Sequence, residues 1–408
     1  MYSVVNLLNN FYSSQTCHPS DKFTQICSEI ILERFTTMNI TIKNMNKHFI
    51  ILLLLLVSPG FLNAQYISEV LEYKPAPGQL INTSSLGSPG AAQSITGDLN
   101  GSLCLGAFGG YVVFRFENPI DNHPDNPYGV DFTIFGNPLP DWSEPGIVSV
   151  MKDENGNGRA DDTWYELAGS DYFFSSTIKN YQVTYTNPKN PEAANVPWED
   201  NRGHSGSIRA NEFHTQPYYP HKDSFPDIDP EKYTLTGTRI QHEIDTSGYP
   251  KAFFRAFGYA DNQFRGEAPF TIPDNPYTRK IENSGGDGFD MSWAVDTNGH
   301  YVELDTIHFV KVHNAVLANA GWLGEVSTEI TGAVDVAPDK SISGESDILV
   351  VKSLPQTIDT SHYQLEAFAF HQGRLQPGKQ INWTCNTTDA RVDENNILIV
   401  NKSGKISI

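Results

Sequence analysis

Positive charge is scarce in this chain of 408 residues: 28 Lys and Arg stand against 48 Asp and Glu, a formal net charge of −20. No cluster of Lys and Arg is present that would displace counterions from a phosphate backbone, which excludes nucleic acid as a partner. Acidity of this size suits an exported protein, a cation binder or a sugar binder, and selects none of them. Cysteine is as sparse. Cys17 and Cys27 fall in the first segment, and Cys104 and Cys385 stand far apart. Neither a disulfide framework nor a thiolate zinc site follows. Long hydrophobic runs are missing too. FIILLLLLV, Phe49 to Val57, is far short of the ~20 residues needed to span a bilayer. No stretch has a convincing helical period.

The short apolar run has a different meaning. Met45-Asn46-Lys47-His48 precedes it, and Ser58-Pro59-Gly60 and LNAQ (Leu62–Gln65) follow. A basic start, a short apolar core and a small residue before the cut make residues 45–64 a secretory signal peptide, cleaved after Ala64, with no transmembrane segment remaining. No Cys stands at the cut, so a lipoprotein anchor is not supported. Residues 1–44 lie upstream of this signal and are expected to be a mis-annotated extension, with translation starting at Met45. The alternative is a genuine extension in which FTQICSEIILERF forms a short helix.

From Gln65 onward the period is two. In GYVVFRFENPI, Val112, Phe114 and Phe116 point one way and Arg115 and Glu117 the other. VDFTIFGNP, IVSVMK, WYELAG, NYQVTYT, YTLTGTRI, AFFRAFGYA, FDMSWAVD and HYVELDTIHFVKVH read as further strands between turn clusters such as NPKNPEAANVP. Alternation with one wet face predicts an all-β, antiparallel β-sandwich over residues 65–336. A polar linker, 337–346, leads to a smaller unit, 347–408. Its Trp383 strand and the hairpin around Asp393–Asn396 resemble bacterial immunoglobulin-like domains, with the last strand apparently cut short at KISI.

DENGNGRADDTWYEL, from Asp153, places Asp153, Asn155 and Asn157 at alternate positions, then Gly158, then Asp161 and Asp162. Calcium takes six to eight oxygens, and such a loop offers side chains at positions 1, 3 and 5, the Arg159 carbonyl at 7 and Asp161 at 9. Position 12 is Trp164 where an EF-hand needs Glu, and the flanks read as strands. A strand-to-strand calcium loop is expected here, the alternative being a hairpin whose Asn and Asp side chains bond their own backbone. DTNGHYVEL, from Asp296, is a weaker copy and reads as a turn.

Catalysis has candidates but no motif. Asp141 with Glu144, or Asp287 with Asp290, are carboxylate pairs of the kind glycosidases use. GHSGSIRANEFHTQPYYP supplies His204, Arg209, His214, Tyr218 and Tyr219 for a lyase, yet nothing fixes a nucleophile beside a base. No catalytic residue is therefore assigned. Binding is the better reading, through aromatics that stack on sugars or another flat ligand. Of Trp142, Trp164, Trp198, Tyr218, Tyr219, Trp293 and Trp322, most are expected in the core. Trp142, Trp198, Tyr218 and Tyr219, with His214, are expected at the ligand.

SLCLGAFGGYVVFRFENPI, DFTIFGNPL, SEPGIVSVMKDENGNGRADDTWYELAGSDY, FHTQPYYP, GYADN, FDMSWAVDTNG and GWLGEVSTEITGA together resemble a secreted "cell surface protein" family of Bacteroidota, associated with PKD or immunoglobulin-like repeats. The glycine-rich strand followed by the D-F-x-I-F strand is similar to discoidin-like, galactose-binding jelly rolls. The resemblance implies a jelly-roll-like sandwich at the cell envelope, in some members beside a TonB-dependent outer-membrane transporter, including those for cobalamin. It supplies no catalytic residues. A non-catalytic binder of a glycan or other nutrient, braced by calcium, is the expectation. A carbohydrate-active hydrolase or lyase and a structural adhesin-like module are the alternatives.

Overall fold

Short apolar stretches pair edge to edge in the computed structural model, which describes residues 65–263, 272–282, 286–355, 357, 358 and 360–408. The expected upstream segment and signal peptide lie outside the described residues. The fold is all-β and antiparallel, as the alternation predicts. A six-stranded sheet runs Ile67–Lys74, Tyr111–Phe116, Phe309–Asn314, Gly146–Met151, Trp164–Leu167 and Ala294–Val295 in spatial order. Phe114 pairs with Val310 and Val150 pairs with Val310 from the other side, so one face carries a band of Val and Phe. Against that face packs a three-stranded sheet, Asp287–Phe289, Phe132–Phe135 and Gly332–Asp335. Val112, Phe114, Val148, Val150, Val310 and Val312 from the first sheet meet Phe132, Ile134, Phe289 and Ala333 from the second. The rings of Phe132 and Phe289 stack at 5.4 Å.

The other face of the central sheet is not wet, which corrects the expectation of a single buried face. A four-stranded sheet, with Val196–Asp200 and Ile178–Thr186 inside it and Lys232–Arg239 along one edge, lies over part of it. His313 Nε2 contacts the Thr238 carbonyl at 3.1 Å, and Thr238 Oγ1 donates to Glu166 at 2.6 Å. Lys311 lays its ammonium 4.1 Å from the Tyr111 ring centre. Polar residues on this face thus bury their apolar parts while keeping a partner for each charge.

AFFRAFGYA contributes only its first residue, Ala252, to a strand, Lys251–Ala252. Gly258, with φ +82°, passes so close to Gly169 that a Cβ would lie 2.6 Å from its Cα. The chain then sends Phe257 into one core and Tyr259 into another. The expected absence of long helices meets one short helix among the described residues, Pro89–Ser94, capped by Ser88.

Residues 347–408 build two three-stranded sheets. One holds Asp347–Val351, Ala367–His371 and Arg374–Leu375; the other holds His362–Gln364, Ile397–Val400 and Ala390–Val392. The first sheet packs into the large sandwich. Phe370 meets Phe257 at 5.2 Å, the Trp293 indole N–H donates to Gln372 O at 3.0 Å, and Ser175 N–H donates to Glu366 at 2.7 Å.

Candidate functional site

The acidic loop joins two paired strands, with Met151 opposite Trp164 and Val150 opposite Tyr165. Asp153 closes it from within: Oδ1 accepts from Asn157 N–H at 3.1 Å and Oδ2 from Gly158 N–H at 2.8 Å. Those bonds, the Gly158 one foremost, hold the Asp153 carboxyl below its ordinary range. Gly156 and Gly158 take φ of +69° and +72° in open space, so glycine is required by the turn and not by crowding. Asn157 Oδ1 accepts from Arg159 N–H at 2.8 Å, while the Asn157 amide donates to Asp161 at 3.1 Å and the Asn155 amide to Asp162 at 3.2 Å. The side chains named from the spacing therefore do meet. Asp161 and Asp162 meet amide nitrogens there.

The aromatics divide differently from the sequence expectation. Tyr218 and Tyr219 are 1% and 3% exposed and belong to the core, which removes them as ligand contacts. The Tyr219 hydroxyl donates to Asp229 O at 2.6 Å, and Tyr218 OH accepts from Asn211 N–H at 3.1 Å. Both rings are buried and both hydroxyls are satisfied, which is how a tyrosine enters a core. Trp142 is half-buried against the cluster of Ile147, Ile240 and Tyr259. Trp198 is half-buried as well, its indole 2.6 Å from where a Cβ on Gly206 would stand.

What the fold exposes is a different group. Phe213, Tyr249 and Trp322 are 61%, 70% and 52% exposed. Trp322 stands edge-on to both others, with ring centres 6.2 Å from Phe213 and 5.7 Å from Tyr249. Three loops bring them together. Trp322 sits on the 3₁₀ turn Gly321–Leu323, whose flanking Gly321 and Gly324 both take positive φ. Phe213 follows Asn211, whose Oδ1 accepts from Phe213 N–H at 3.0 Å and whose amide donates to Gln79. Asn82 Nδ2 pins the same loop through the carbonyls of Pro217 at 2.7 Å and Tyr219 at 2.8 Å. His214, half-buried, is the one expected ligand residue whose chain position adjoins the cluster. Large exposed aromatics touching one another on pinned loops are costly to leave in water and are a mark of binding surfaces.

A third feature was not expected from the sequence. Among the described residues, Glu144, Asp261 and Glu329 bring one carboxylate oxygen each to within 4.8 Å of one another, all buried. The Asp261 backbone takes φ +54°, and its Oδ1 accepts from Asn137 N–H at 2.9 Å and its Oδ2 from Glu329 N–H at 2.8 Å. Glu144 Oε1 accepts from Ser327 N–H at 3.0 Å. Burial, and then mutual repulsion, pushes the carboxyls of Asp261 and Glu329 well up. The three tie together loops from distant parts of the chain. The group is held by backbone amides and by its own members, with the Trp142 and Cys104 side chains beside it, and sharing of protons among the acids accounts for it.

The carboxylates weighed for catalysis are separated by their surroundings. Asp141 is at the surface, paired with Lys251 at 2.8 Å, while Glu144 is buried in the acid group. Asp287 accepts from Asn262 N–H at 2.9 Å, and Asp290 caps the turn at Met291. His204 pairs with Asp200 at 2.9 Å. No helix among the described residues is long and apolar enough to cross a membrane. No family model matches the chain, and no curated protein matches it.

Proposed function

We propose that this chain is a non-catalytic, secreted or cell-envelope binding protein of the "cell surface protein" kind, gripping a glycan or another nutrient on a β-sandwich. The observation that carries this reading is the exposed cluster of Phe213, Tyr249 and Trp322. Sugar rings have apolar C–H faces that stack on aromatic side chains, and edge-on neighbours hold the indole upright to receive them. The signal peptide expected at residues 45–64 supports this reading, since export would carry such a surface out of the cytoplasm, where an outer-membrane transporter is a natural partner.

Trp322→Ala tests the platform. Against a panel of glycans and corrinoids, the ligand retained by the unaltered chain is expected to lose about tenfold or more in affinity, the scale of an aromatic hot spot. The melting temperature should hold, since the indole is half in water. Unchanged affinity overturns the site, and turnover of the ligand overturns the non-catalytic reading in favour of a hydrolase or lyase.

Within the same proposal, calcium braces the loop Asp153–Asp162. Asp153, Asn155, Asn157, Asp161 and Asp162 with the Arg159 carbonyl supply the oxygens, and extracellular modules of this type bind at about 10⁻⁴–10⁻³ M. Chelation with EDTA is expected to lower the melting temperature, and Asp153→Ala to shrink that response. An identical response in the variant would remove calcium from this loop.

A further inference from the structure

A second group of buried oxygens lies at the edge of the three-stranded sheet. Asp131 precedes the strand Phe132–Phe135, Asp290 follows Asp287–Phe289, and Asp131 N–H donates to Phe289 O at 2.8 Å, so the two acids sit side by side. Their carboxylates accept from consecutive amides: Met291 N–H to Asp131 Oδ2 at 2.7 Å and Ser292 N–H to Asp290 Oδ1 at 2.7 Å. The turn Asn126–Gly129 closes against them. A Cβ on Gly129 would stand 2.7 Å from Asp290 Oδ2, so the carboxylate occupies the space that only glycine leaves.

Two further oxygens there have no hydrogen-bond partner. Asn126 is 7% exposed and aims its side chain into the group, with Nδ2 donating to Asp131 Oδ1 at 2.8 Å, yet Asn126 Oδ1 receives no donor. Tyr277 is 4% exposed, and its hydroxyl makes no hydrogen bond either, although it lies within the field of both acids. The neighbouring Trp293 indole N–H is already engaged by Gln372 O. Among the described residues no Lys or Arg pairs with Asp131 or Asp290. Arg374, which lowers the Asp290 carboxyl, is bonded to Glu303 at 2.8 Å.

Two buried carboxylates side by side repel one another when both are ionised. A shared proton would relieve that repulsion, but it leaves the buried Asn126 Oδ1 without a partner. A hard cation relieves both, since it binds carboxylates and neutral oxygens alike at about 2.3–2.6 Å. The donors are all oxygen, which favours calcium-like ions over zinc or copper.

We propose that Asp131, Asp290 and the Asn126 side-chain carbonyl, with the Tyr277 hydroxyl beside them, form a binding site for a divalent hard cation of the calcium class. This site is distinct from the acidic loop. Asp131 O also accepts from Val336 N–H at 2.9 Å, and Asp125 O from Asp339 N–H at 2.8 Å. The ion would therefore lock the point where the chain leaves the large sandwich for the C-terminal sheets.

The test uses the chain from Gln65 onward, stripped with chelator and carrying Asp153→Ala to silence the loop. Calcium is titrated by calorimetry, and terbium by luminescence sensitised through Tyr277 and Trp293. One equivalent is expected to bind, and Asp290→Asn on that background to weaken it by about tenfold or more. No binding in the Asp153→Ala chain overturns the site. So does an Asp290→Asn chain that melts higher both with and without calcium, the behaviour of an acid pair relieved of its repulsion. Should Asp290→Asn fail to fold, Asn126→Asp decides: a third carboxylate is expected to tighten calcium binding, and unchanged or weakened binding overturns the proposal.

Discussion

Phe370→Ala is expected to destabilise the whole protein by about 3–5 kcal/mol, the range for removing a buried aromatic ring. The ring is 1% exposed and lies in the main core cluster although it belongs to residues 347–408. It meets Phe257 at 5.2 Å and Phe173 at 6.4 Å, both from the large sandwich. Phe257 in turn stands edge-on to Trp293 at 5.3 Å. A cavity at Phe370 therefore opens between the two parts and loosens both. Urea unfolding followed by tryptophan fluorescence and by far-UV dichroism should give one coincident transition, shifted to lower urea in the variant. An early transition confined to the C-terminal sheets, with the large sandwich unmoved, would show that the contact carries little energy.

The strands were legible in the sequence because one face of each is consistently apolar. Val112, Phe114 and Phe116 recur at every second position, with Arg115 and Glu117 on the other side, and that period places Tyr111–Phe116 in a sheet. The burial of the second face was hidden by the same alternation. Lys311 and His313 are polar residues in an apolar strand: His313 finds the Thr238 carbonyl in the layer laid over it, and Lys311 finds the Tyr111 ring in its own sheet. AFFRAFGYA misled for a related reason: apolar density marks burial, and here the burial is of an irregular segment held by Gly258.

The candidate site was less legible. Phe213, Tyr249 and Trp322 lie on loops far apart in sequence, and nothing local distinguishes them from core aromatics. Tyr218 and Tyr219, set between Pro217 and Pro220, carry the turn residues of an exposed loop, yet inside the fold the Tyr219 hydroxyl finds a backbone carbonyl and the Tyr218 hydroxyl a backbone N–H. Buried acids are harder still. Glu144 and Asp290 stand out in the sequence only as members of carboxylate pairs, and Asp131, Asp261 and Glu329 not at all, because an acid is almost never fully buried without a partner. Their partners are backbone amides, which a sequence does not display.

Glu325 is the buried acid with the clearest consequence for pH. It is 2% exposed; Oε1 accepts from Gln79 N–H at 2.6 Å and Oε2 has no partner. Burial, helped by the charge of Glu144, pushes its carboxyl from 4.5 up to about 8. The folded state then holds this proton more tightly than the unfolded one. Its stabilising effect is complete below pH 4.5 and is lost as the pH rises towards about 8. Between pH 4.5 and 7 the loss is on the order of 3 kcal/mol, from about 1.4 kcal/mol per unit. Melting temperature should fall across that range. Glu325→Gln keeps the acceptor for Gln79 and carries no charge at any pH, so it is expected to match the unaltered chain near pH 5 and to melt higher at pH 8. The raised carboxyls of Glu144, Asp261 and Glu329 act in the same direction, so the variant should flatten the profile and not abolish it. Parallel profiles for the two chains would mean that Glu325 is already ionised in the fold, with water reaching Oε2 beneath the Trp322 turn.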